Sequence, residues 1–182
     1  MLWLLWYSSA QLPERGLRPA LALPRSPVAA PSALPAPPRL PACVATRPGF
    51  LRGRIYGELE QSIALAGEGL RCGLSQRPGE AGTRLLFAPA TGGPLLVIGV
   101  PAAADELRAG ELPALVTLAD QGSGRFYSSA GSERCWVRFR APPGGLIAGK
   151  LYCAGALPAV QRRGSVTLSE FDFSLPRAAA AP

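Results

Sequence analysis

The residues best placed to do chemistry lie between Arg134 and Cys153, RCWVRFRAPPGGLIAGKLYC. Two kinds of chemistry are available there: oxidation of paired thiols, and recognition of an anion by cations set among aromatic rings. Strict alternation puts Cys135, Val137 and Phe139 on one face of a strand and Arg134, Trp136, Arg138 and Arg140 on the other. Pro142, Pro143, Gly144 and Gly145 make the turn into a second strand. With the loop centred on Pro143, Cys135 faces Cys153, Trp136 faces Tyr152 and Arg138 faces Lys150. Facing residues on paired strands have Cα atoms about 4.5–5.5 Å apart, within reach of a disulfide. Like charges facing each other are unfavourable unless an acidic neighbour or a bound anion offsets them. Arg134, Trp136, Arg138, Arg140, Lys150 and Tyr152 are therefore the candidate binding residues, of the kind that holds glycans, anionic lipid headgroups or single strands. The blander alternative is a half-exposed face on which the aromatic pair covers the sheet and the arginines lie flat.

Other chemistry finds little support. The chain has no histidine, the usual general base of serine and cysteine hydrolases, and no G-x-S-x-G, Walker or H-E-x-x-H motif. The carboxylate pairs Asp105 with Glu106 and Glu170 with Asp172 read as solvated surface charge. Gly122-Ser123-Gly124 after Asp120 could offer backbone N–H groups to an anion, yet a glycine-rich hairpin turn explains it without a ligand. The cysteines at 43, 72, 135 and 153 form no C-x-x-C pair, so neither a metal nor any other cofactor is expected. The expectation is a protein that is not an enzyme.

Leu40-Pro41-Ala42-Cys43 resembles the lipobox of bacterial lipoproteins, in which a small residue precedes the cysteine that is lipidated. Lipidation at Cys43 would leave Cys72 single, whereas a Cys43–Cys72 bridge would use both, and the two outcomes exclude each other.

The elements that must position these residues begin after a long proline-rich segment. Of the formal net charge of +7, residues 1–50 carry +4, five arginines against Glu14. The remainder is only mildly basic, and nucleic acid is not the expected partner. Eight prolines from Pro19 to Pro41 forbid helix or central strand there, so residues 1–50 read as a disordered leader or targeting segment. Met1 to Tyr7 is apolar but too short to cross a bilayer. The preference for Arg over a single Lys, with abundant Ala, Gly and Pro, is the imprint of a GC-rich genome.

From residue 51 to 176, short apolar runs alternate with turn signals, the pattern of an antiparallel β-sandwich or partly open barrel. Strands are expected at 52–59, 63–72, 83–89, 94–100, 113–119, 124–128, 134–141, 146–153 and 164–174, about eight or nine in all, with one short helix or loop at 101–112. A short disordered tail, 177–182, is expected to follow. In the last strand Val166 and Leu168 share one face while Phe171 and Phe173 share the other. Either a β-bulge near Ser169 restores both pairs to the core, or the strand passes between sheets. With the bulge, Glu170 and Asp172 point outward, where they would neutralise Arg138 and Lys150 if this strand is their neighbour.

The run Cys135-Trp-Val, then Gly149-Lys-Leu-Tyr-Cys153, then Val166-Thr-Leu-Ser-Glu-Phe-Asp-Phe173 resembles the closing strands of small exported bacterial β-sandwich proteins, often lipoproteins of unknown function. The resemblance spans about forty residues and implies a β-sandwich exported to the periplasm, the outer envelope or the medium. It carries over no catalytic residue. The expected function is a non-catalytic structural or interaction role, with a binding module for an anionic glycan, a lipid or membrane surface, or single-stranded nucleic acid as the alternative.

Overall fold

The computed structural model describes residues 40–44, 48–76, 81–131, 134–141 and 145–177. The leader up to residue 39, the turn residues 142–144 and the tail from 178 lie outside them. The described chain is all-β: β1 (Phe50–Gly57), β2 (Gln61–Ala66), β3 (Leu70–Ser75), β4 (Thr83–Pro89), β5 (Pro94–Val100), β6 (Gly110–Pro113), β7 (Leu115–Asp120), β8 (Arg125–Ser128), β9 (Cys135–Arg140), β10 (Leu146–Cys153), β11 (Leu157–Pro158), β12 (Ser165–Leu168) and β13 (Phe171–Pro176). The larger sheet runs β11-β12-β1-β13-β10-β9-β6, with β2 on the other edge of β1, and the smaller runs β3-β4-β5-β7-β8. All pairings are antiparallel, and the two sheets bury one shared core between them, so the fold is a β-sandwich.

The core lies between the sheets and follows the alternation of the strands. In β4 and β5, Leu85, Phe87, Leu96 and Ile98 are buried; from the larger sheet Leu51, Ile55, Val137, Phe139, Leu151 and Phe173 meet them. Phe173 sits at the centre, its ring 5.5 Å from that of Phe87 and 6.3 Å from that of Phe139. These tilted and edge-on contacts suit the ring quadrupoles better than a face-to-face stack.

The last strand is interrupted by the bulge. Ile55 faces Leu168 and Gly57 faces Val166, but Arg52 faces Asp172 and Phe50 faces Ser174, a shift of one residue. Ser169 and Glu170 take up the extra residue, which returns Val166, Leu168, Phe171 and Phe173 to the core together. Gly53 makes room for this: a Cβ there would lie 2.5 Å from the Phe171 ring.

The structure corrects one expected element and decides another. The single strand 63–72 is two strands, β2 and β3, in different sheets, with a 3-10 turn at Gly67–Gly69 between them. Alternation of side chains is blind to such a change of sheet. Of the short helix or loop expected at 101–112, the loop is what forms, with a turn at 104–106, and its last residues open β6. Helix propensity loses there to tertiary contacts: the Arg177 guanidinium donates to the carbonyls of Ala104 at 2.6 Å and Leu107 at 3.1 Å, and β6 pairs with β9. The chain then crosses to the smaller sheet at buried Ala114, whose N–H donates to the Cys135 carbonyl at 2.8 Å.

Two disulfides staple the sandwich. Cys135 and Cys153 face each other as expected, and so do Trp136 with Tyr152 and Arg138 with Lys150. Ala154 N–H donates to the Arg134 carbonyl at 2.8 Å, so the adjacent cysteine pair falls at a non-hydrogen-bonded position, where facing Cα atoms come closest. Cys43 is bonded to Cys72, the second of its two alternatives, and both are fully buried. The sulfur that a lipid anchor would need is in that bridge. Ala42 pairs with Arg71, and Cys43 N–H donates to the Leu70 carbonyl at 2.8 Å, so the chain is tied to β3 well before residue 51.

Candidate binding face

On the outer face of the larger sheet, the register lines up Glu111, Arg138, Lys150, Asp172 and Arg52 across five neighbouring strands. Strand pairing therefore decides which charges meet, and the hairpin cations meet acids. Arg138 donates from Nε and Nη2 to one Glu111 oxygen at 3.1 and 3.0 Å. Lys150 reaches Glu170 at 2.6 Å, and Arg140 pairs with Asp172. Glu170 and Asp172 do point outward beside the hairpin, held there by the bulge. The like-charge repulsion between Arg138 and Lys150 is thus offset within the protein, and that pair needs no bound anion to coexist.

The aromatic platform is present. Trp136 stacks on Tyr152 with centroids 5.8 Å apart and planes 25° apart, and the Arg138 guanidinium lies 5.9 Å from the Tyr152 centroid. Both rings are half-buried. Hydrogen bonds from the Tyr152 hydroxyl and then Arg138 hold the Glu111 carboxyl below the usual glutamate range. The same bond to Glu111, with partial desolvation, pushes the Tyr152 phenol up. Glu111, on a strand that reads as helix or loop, was not among the sequence candidates. Arg134 is exposed at the mouth of the hairpin, near Gly155.

A second set of residues lies farther along the same face. In β1, Leu51 and Ile55 point to the core, so Phe50, Arg52, Arg54 and Tyr56 point outward. The Arg52 guanidinium lies 5.3 Å from the Phe50 centroid and that of Arg54 5.1 Å from the Tyr56 centroid. Among the described residues, neither guanidinium has a carboxylate within ion-pair distance. The alternation FLRGRIY was the available signal; its neighbours in the sheet were not.

Arg138, Lys150, Tyr152 and Glu170 enclose a shallow hollow of about 260 Å³. A larger cavity of about 440 Å³, lined in part by Thr83, Val100, Ala114 and Leu115, lies elsewhere. Thr83 Oγ1 is engaged there by the Ala102 carbonyl at 2.8 Å, and Ser129 Oγ by the Val116 N–H at 2.8 Å.

Asp120, its glycine-rich loop and Glu106 are locally engaged. The Asp120 carboxylate accepts the N–H groups of Gly122 and Ser123, each at 3.3 Å, and the Ser123 hydroxyl. These bonds, the hydroxyl first, lower the Asp120 pKa. That loop therefore binds its own carboxylate. Glu106 accepts the Ala103 N–H at 3.0 Å. Among the described residues no three His, Cys, Asp or Glu side chains gather to hold a metal ion, and no helix is long and apolar enough to cross a membrane. Compared with protein families, curated proteins and solved structures, the chain finds no match.

Proposed function

We propose that this chain is an exported, non-catalytic interaction domain that holds an extended anionic partner, best fitted by an anionic glycan, on the outer face of its larger sheet. One observation carries the reading: Arg52 and Arg54 lie over Phe50 and Tyr56 without an acidic partner among the described residues, while Arg138, Arg140 and Lys150 are each matched. Arg52 and Arg54 stand two residues apart on one strand, with Cα atoms about 6–7 Å apart along it, and lean toward Phe50 and Tyr56 on opposite sides, so the strand offers two cations in succession to an extended anionic polymer. The aromatic rings hold the two guanidinium groups over the sheet by cation–π contact, and their remaining exposed apolar surface gives a ring of a glycan something to lie against. Export is supported by the two disulfides, which persist in oxidising compartments.

The test is retention of the full, oxidised chain on immobilised heparin. Arg52→Ala with Arg54→Ala should elute at clearly lower salt than the unaltered protein, whereas Arg138→Ala with Lys150→Ala should have the smaller effect. Unchanged elution of the Arg52/Arg54 variant would remove the proposal.

A further inference from the structure

A different part of the molecule combines exposed apolar side chains with cations. The loop 159–164 between β11 and β12 runs Ala-Val-Gln-Arg-Arg-Gly and packs against β8. Tyr127 pairs with Ala159, and the Val160 N–H donates to the Phe126 carbonyl at 2.8 Å, so Phe126 and Val160 face each other. Tyr127 is 1% exposed and points to the core; by alternation Phe126 and Val160 point out, and they are 53% and 48% exposed. Two large apolar residues side by side in water have no structural task on that face.

Charge surrounds them. Arg125, Arg162, Arg163 and Glu58 line the same recess, of about 170 Å³. Glu58 lies 3.5 Å from Arg125 and takes the Tyr127 hydroxyl at 3.4 Å. Its carboxylate occupies the space that a Cβ on Gly164 would need. The acid is thus engaged by Arg125 and Tyr127, and Arg162 and Arg163 have no ion pair among the described residues. The loop is shaped in advance: Ala159 N–H donates to the Gly164 carbonyl at 2.9 Å, and Gln161 and Gly164 have φ of 69° and 126°.

We infer that this tip docks the protein on an anionic lipid bilayer, with Phe126 and Val160 entering the interfacial region and Arg162 and Arg163 meeting lipid phosphates. A soluble anion would satisfy the arginines and leave the apolar pair in water. A bilayer satisfies both, because affinity there sums buried apolar area and electrostatic attraction. None of these four residues belongs to the set Phe50, Arg52, Arg54 and Tyr56 on β1.

The experiment is co-sedimentation of the full, oxidised chain with phosphatidylcholine vesicles that contain or lack phosphatidylglycerol. Binding should require phosphatidylglycerol. Arg162→Ala with Arg163→Ala should weaken it about fivefold per arginine, and Phe126→Ser with Val160→Ser should weaken it as well while leaving heparin retention unchanged. Arg52→Ala with Arg54→Ala should leave vesicle binding intact, which separates this site from the glycan proposal. Undiminished vesicle binding by either tip variant would overturn the inference, and so would loss of heparin retention in the Phe126/Val160 variant, which would mark a soluble polyanion or protein site.

Discussion

The Ser169 hydroxyl accepts the N–H of Arg54 at 2.7 Å, while the Ser169 N–H donates to the Arg54 carbonyl at 2.8 Å. One residue thus closes the bulge from both sides, replacing a ladder bond with a side-chain bond where the register shifts. The outward placement of Glu170 and Asp172 depends on that closure. Ser169→Ala should destabilise the fold by about 1 kcal/mol, the usual net value of one hydrogen bond. The measurement is a lower denaturation midpoint with an unchanged slope.

Gly53 lies opposite the bulge, and a Cβ there would enter the Phe171 ring. Gly53→Ala should cost about 1–3 kcal/mol, the range for overpacking a filled core. Pairing it with Phe171→Leu should recover part of the loss in a double-mutant cycle, and simple additivity would argue against this contact.

The two disulfides should differ in access to a reductant. Cys43 and Cys72 are fully buried, as is Cys135, whereas Cys153 is half-exposed. Mild reductant under native conditions should therefore open Cys135–Cys153 first, with Cys43–Cys72 yielding only on unfolding. Each bridge should contribute about 3–4 kcal/mol by the loop-closure relation for its span. Alkylation followed by peptide mapping checks the order, and thiols labelled without reductant would contradict the pairing.

Glu111 should confer acid sensitivity. Its folded-state pKa lies below the ordinary glutamate value of 4.5, owing to Tyr152 and then Arg138. The resulting stabilisation is present above that value and is lost as pH falls through the lowered folded value. Tyr152→Phe should move the Glu111 titration back towards 4.5, followed by carboxyl-carbon NMR. An unmoved titration would mean that Arg138 alone sets it.

Much of the hairpin was legible because local rules suffice there. Two-residue periodicity and a turn centred on Pro143 set every facing pair from Cys135–Cys153 to Arg138–Lys150, and the phase change between Leu168 and Phe171 narrowed the last strand to a bulge or a change of sheet, of which the bulge is what forms. What could not be read was adjacency between distant segments. Nothing local says that Glu111 lies beside Arg138, or that β1 extends the same face, and these relations decide which cations are matched. The Cys43–Cys72 bridge stayed one of two outcomes for the same reason: two cysteines with no local pairing pattern do not disclose their partner.

The position of β1 has a consequence for how the chain reaches its native state. It pairs with β2 on one side and with β12 and β13, more than a hundred residues later, on the other. Until those last strands arrive, one edge of β1 is open and β10 lacks its neighbour. Closure across so long a separation is slow by its topology. The larger sheet must therefore be completed after synthesis of the final strand, so a chain stopped before Phe171 would present two sticky edges.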